Sequence, residues 1–162
     1  MKKISFDTKN GHLLLDNILM APINEYEFIK TSKENNIEIQ NNQTNTYLHT
    51  LSTCGKLNEF EFGINFTFEN SLMKNVWLSW DGGNTKKYGY NTTENQLLDD
   101  KNSLAKLLTK IFDRDPDEIK KTFSAFHFSW GNISASASLQ SVMTAIGMSW
   151  NCEEQTIKEK LN

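Results

Sequence analysis

A chain of 162 residues, 38% hydrophobic and 11% aromatic, has the length of one domain and enough apolar material for a core, which excludes a wholly disordered protein. Its net charge of -3 and single arginine, Arg114, argue against a nucleic-acid binder, because phosphate neutralisation needs clustered cations and base readout favours guanidinium forks. No apolar stretch approaches the ~20 residues of a membrane span, and the chain meets Asp7 before any run of signal-peptide length, so a cytoplasmic protein is expected.

Ile4 and Phe6, then Leu13 and Leu15, flank Thr8-Lys9-Asn10-Gly11, and Asn-Gly between alternating apolar residues predicts a hairpin. Asn24 followed three residues later by Glu27 has the form of a capping box, with Ile23 and Phe28 spaced as a hydrophobic staple. A short helix from about Glu25 to Ser32 is expected. Residues 33–45 are rich in Asn and Gln, with only Ile37 and Ile39 alternating, so at most an edge strand crosses this least ordered part. Tyr47, His49 and Leu51 predict a third strand reaching Gly55.

The strongest signal follows. Phe60, Phe62, Ile64, Phe66 and Phe68 fall at every second position, and Val76, Leu78 and Trp80 resume the alternation after a polar break. This is the period of an antiparallel hairpin with one buried, largely aromatic face. The run from Asp81 to Tyr90 has turn residues at both ends and few apolar positions, so it reads as a surface loop. From Asn91, with Glu94 placed to box it, Leu97, Leu98, Leu104, Leu107, Leu108, Ile111 and Phe112 recur at helical spacing. They predict the main helix, with a break in its first turns near Asp100. Asp115-Pro116-Asp117-Glu118 combines an N-cap, a first-turn proline and a third-position Glu, which predicts a second, shorter helix. Three more strands are implied by the alternations around Phe126, around Ile133 and between Val142 and Trp150, and residues 152–161 suit a closing helical turn. Because neighbours in sequence usually pair, the expected fold is α+β. It has a single antiparallel, meander-like sheet with one main helix and one or two short helices packed on it, all in one domain over residues 1–162.

Candidate chemistry is sparse. Cys54 and Cys152 form no CxxC pair and read as free thiols, and His12, His49 and His127 stand in no metal-ligand spacing. Asp81-Gly82-Gly83-Asn84 lacks the lysine and hydroxyl of a phosphate cradle, and none of the serines at 129, 134, 136, 138 and 141 sits in a GxSxG elbow. Asp113, Asp115 and Asp117 suit helix capping better than acid–base work. No catalytic, cofactor-binding or metal residue is assigned, and an enzyme is not expected. Trp77 lies on the opposite parity from its apolar neighbours, so it is either exposed as a contact residue or covered by a helix. Tyr88 and Tyr90, beside Lys86 and Lys87, are the best candidates for exposed contact aromatics. These five form the candidate partner-binding set.

The run Ser129-Trp130-Gly131-Asn132-Ile133-Ser134-Ala135-Ser136, followed by Met143 to Trp150, resembles a pattern of small bacterial immunity proteins that accompany secreted toxins, including those of contact-dependent inhibition. In these a Trp-Gly turn joins strands and the last strand ends in an aromatic. The hairpin from Phe60 to Trp80 and the helix from Asn24 to Lys30 are similar in layout to the same group. Its commoner pattern has an acidic and a basic residue between the last two strands; Ser138 to Ser141 supplies neither, so no binding residue is carried over. The resemblance implies a cytoplasmic protein, monomeric or weakly dimeric, that neutralises a cognate toxin domain, such as a nuclease, by occluding its active site or partner surface. It implies no cofactor, no direct nucleic-acid contact and no membrane. The competing expectation is a module that binds a small ligand or carbohydrate on exposed aromatics.

Overall fold

The structure, a computed structural model, describes residues 1–42 and 47–151. Three short strands open it: β1 (Ile4–Asp7), β2 (His12–Leu15) and β3 (Ile18–Ala21). The expected Asn-Gly hairpin forms with Ile4 opposite Leu15 and Phe6 opposite Leu13, but β3 joins it to make a separate three-stranded sheet. Helix α1 (Glu25–Glu34) follows, and the Asn24 side chain accepts the backbone N–H of Glu27, as the cap signal required.

The second sheet has eight strands. They are β4 (Gln40–Asn41), β5 (Leu48–Leu57), β6 (Phe60–Glu69), β7 (Leu72–Trp80), β8 (Glu118–Ile119), β9 (Phe123–Phe128), β10 (Gly131–Ser138) and β11 (Met143–Trp150). Their order is β4-β5-β6-β7-β11-β10-β9-β8. The expectation of a single meander-like sheet is therefore wrong on two counts. The opening strands build their own sheet: β2 is flanked by β1 and β3, and the opening segment reaches the β5 edge where Lys56 donates its backbone N–H to Lys2, the rest of that edge being paired in part with β4. The large sheet is two four-stranded meanders joined β7 to β11, since the helical segment after β7 carries the chain across before β8 begins.

That segment corrects four further expectations. The supposed loop after Trp80 contains α2 (Gly83–Tyr88) and a 3-10 turn over Gly89–Asn91. It has no capping side chain of its own. Instead the buried carboxylate of Asp100 accepts the backbone N–H groups of Asn84, at 3.0 and 2.9 Å, and of Thr85, at 3.3 Å. An anion at a helix start does the work of a cap from another element. Helix α3 (Glu94–Phe112) is unbroken at Asp100, and its capping box is Thr93 with Gln96 rather than Asn91 with Glu94. The signature at Asp115-Pro116 starts no helix, because the groups it needs are used by β9. Backbone N–H groups of Asp117 and Lys120 donate to the carbonyls of Ala125 and Phe123, and the Asp117 carboxylate accepts from Arg114, at 2.8 Å, and from the His127 N–H, at 2.7 Å. Arg114 also donates to the His127 carbonyl. The only arginine thus finishes a sheet edge with side-chain hydrogen bonds. The expected helical turn at 152–161 and residues 43–45 of the polar stretch lie outside the described residues.

The core fills one side of the large sheet. Phe62, Ile64, Phe66 and Phe68 are at most 1% exposed, and the Phe28 ring of α1 packs on Phe66 and Phe68. Leu104, Leu107 and Leu108 of α3 share this cluster with Ile133, Ile146 and Met148. The small sheet is fastened to the same side by two indoles. Trp130 donates to the Thr8 carbonyl at 2.6 Å and Trp150 to that of Gly11 at 2.7 Å. Gly11, at φ 70°, lies so close under the Trp130 ring that a Cβ would collide with it. Among the described residues no helix is long and apolar enough to cross a membrane.

Candidate functional site

Among the described residues, no helix or strand covers the other face of the large sheet. Side chains on paired positions share a face, so the register places Ser52, Asn65, Trp77, Gly147, Ser134 and Ala125 in one row across β5, β6, β7, β11, β10 and β9. The next row is Cys54, Gly63, Ser79, Ala145, Ser136 and Phe123. On the other side of the Trp77 row lie Thr67, Asn75, Ser149 and Asn132. These rows hold no Lys, Arg, Asp or Glu. The described helices and the small sheet all pack on the opposite, aromatic side, as the ring contacts of Phe28 and the two indole anchors show.

Trp77 stands at the centre of this field, with small side chains as its neighbours along the row and Phe123 at the β9 end of the next. Trp77 is 41% exposed, and its six-membered ring passes over Gly147, where a Cβ would stand 2.8 Å from it. Glycine inside a strand marks such a close approach. Beside the ring lies a groove of about 390 Å³ lined by Trp77, Met143 and Ala145 together with Asn65, Ser79, Ser136 and Ser138. The Met143 side chain is 39% exposed, and Leu139, in the turn leading to it, is 44% exposed. Val142, between them in sequence, holds φ 52°, an unfavourable value for a β-branched residue. Over Gly63 an added Cβ would meet nothing within 4 Å, so the surface is open there. The site is apolar at its centre, hydroxyl- and amide-lined at its rim, and uncharged. It suits contact with an apolar group more than proton or phosphoryl transfer.

The five residues expected to bind a partner are not brought together. Trp77 is on the bare face, whereas Lys86, Lys87, Tyr88 and Tyr90 lie on α2 and the turn after it, held through Asp100 to the helix that covers the opposite face. There Lys86 pairs with Asp81 at 3.5 Å, Lys87 sits over the Tyr88 ring, and Tyr90 is 91% exposed. The groove residues other than Trp77 escape sequence reasoning, because the serines of β10 look like an ordinary solvated face until β11 is known to pair with β7. Gly147 in the middle of a strand is the one signal that something lies against it.

Other candidate groups are structural. His49 meets Glu25 at 2.8 Å and His127 meets Glu118 at 3.5 Å. Lys101 of α3, 3% exposed, donates to the Lys120 carbonyl, and burial lowers its pKa. The Asp117 carboxyl is held below the usual range, first by the hydrogen bond from Arg114 and then by that from the His127 N–H. Cys54 is exposed on β5, and no group of three His, Cys, Asp or Glu residues able to hold a metal ion occurs among the described residues.

These features define an α+β protein whose large sheet has one face that no described helix or strand covers. No family model matches the chain, and neither a characterised protein nor a solved structure shows significant similarity to it.

Proposed function

We propose that the chain is an immunity-type protein that neutralises a toxin domain by covering its active site or partner surface with the open face of the large sheet. The observation that supports this most is the uncharged groove beside Trp77 at the middle of that face. Protein interfaces place aromatic and Met anchors in a charge-depleted centre and leave charge to the rim. Here Lys56 and Glu61 on β5 and β6 and Glu118 on β8 stand at the margins. The small excess of acid on the molecule, -3 overall, aids approach to a basic toxin without entering the contact. A carbohydrate reading draws on the same indole with Ser79, Ser136 and Asn65 around it, but Met143 and Ala145 offer a sugar no hydrogen bond.

Co-expression with the toxin encoded beside this chain tests the reading. The pair is expected to co-purify as a stable complex, cells making the toxin alone should die, and Trp77→Ala should release it. A harmless neighbour, or one that is not retained, contradicts the proposal. A tryptophan fluorescence response to a panel of sugars would transfer the site to the carbohydrate reading.

A further inference from the structure

The open face has the properties of a surface that meets its own copy, and we infer that two chains pair face to face across a two-fold axis through the Trp77 groove. A two-fold contact requires one patch to carry both the projecting group and the recess that receives it. Trp77 projects, and the groove toward Met143 lies directly beside it. Such a contact also sets each charge against its own image, so a face that pairs with itself must be neutral near the axis. The rows centred on Trp77 and Ser79 are neutral across six strands. Apart from Trp77 and, at the β9 end, Phe123, the side chains of these rows are small, which lets two sheets stack at the ~10 Å separation of a sandwich. Six strands ~4.8 Å apart and about seven residues long give a face of roughly 650 Å², of the order of the ~800 Å² per partner in a standard interface.

Pairing goes beyond the immunity reading and does not depend on it. The two would compete for one surface, so capture of a toxin should separate the copies and leave a complex with one chain of each. The sheet edges are poorer candidates: Arg114 and Asp117 occupy the backbone groups of His127 on β9, and β4 and Lys2 occupy stretches of the β5 edge.

Sedimentation equilibrium of the full chain, from roughly micromolar to millimolar concentration, is the test. Wild type should move from 18.6 kDa toward twice that mass. Gly63→Arg is the informative variant, because a side chain at 63 enters open space and leaves the fold intact. It puts like charges on facing surfaces and should weaken pairing on the order of a hundredfold. Trp77→Ala should do the same by removing the projecting group. A wild-type chain that stays at 18.6 kDa throughout overturns the inference, as does a dimer that either variant leaves unchanged. A wild-type monomer that still retains the toxin overturns pairing and leaves the immunity reading standing.

Discussion

Along β6, Phe62, Ile64, Phe66 and Phe68 are shut away from water by α1, α3 and the small sheet, while Gly63, Asn65 and Thr67 between them face outward with no described element above them. The same division runs through β7, where Val76 and Leu78 are buried and Trp77 is 41% exposed, and through β10, where Ile133 and Ala135 alternate with Ser134 and Ser136. One face holds the fold together, because the chain supplies enough apolar area to cover it. The other has, among the described residues, neither charge in its central rows nor an element above it, and the proposed contact role rests on that combination.

The contrast is tested first by truncating one residue on each side of the same strand. Phe66→Ala removes a buried ring in contact with Phe28 and should destabilise the protein by about 3–5 kcal/mol in urea unfolding. Asn65→Ala should stay within about 0.5 kcal/mol of wild type. Equal losses would mean that the outer face carries the fold as well. Next in size is Asp100→Ala, which leaves the Asn84 and Thr85 N–H groups without their acceptor. A loss of about 1–3 kcal/mol is expected, with faster amide exchange confined to α2; unchanged exchange there would show that α2 forms without the carboxylate.

A smaller effect sharpens the outer side. Gly147→Ala pushes a methyl against the Trp77 ring, and because that ring is partly free it should swing away. Stability should change by less than about 1 kcal/mol, and acrylamide should quench tryptophan emission more strongly than in wild type. A large loss of stability would show the ring to be pinned. The smallest effect belongs to the β9 edge. Asp117 releases its proton more readily in the folded chain than its ordinary value of 3.8 implies, chiefly through Arg114. The resulting stabilisation is present above pH 3.8 and is lost as pH falls through the lower folded-state value. Arg114→Ala should shrink that acid-side loss in a pH series of urea midpoints, and an unaltered series would remove Arg114 from the account.

The inner face was legible in the sequence because burial leaves a period. Phenylalanine at every second position, the Asn-Gly turn and the Asn24 cap each act within a few residues, and each appears as expected. What local pattern could not carry was the work of distant partners. Asp100 turns the run after Gly82 into a helix, Arg114 and the β9 backbone divert Asp115-Pro116 into an edge, and β11 reaches past β10 to pair with β7. The candidate site follows from that last pairing. Trp77 was visible as an odd-parity aromatic, but its seat on Gly147 and its groove with Met143 exist only once β7 and β11, the last strands of the two meanders, meet.

The claim that the bare face is a contact surface is tested most directly by fluorine NMR of the protein labelled with 5-fluorotryptophan, with the Trp77 signal assigned from Trp77→Phe. In dilute solution the solvent isotope shift between water and heavy water should be largest for Trp77, and it should fall as concentration rises or toxin is added, while the signal of buried Trp130 stays fixed. A Trp77 signal equally exposed under all of these conditions would contradict the account.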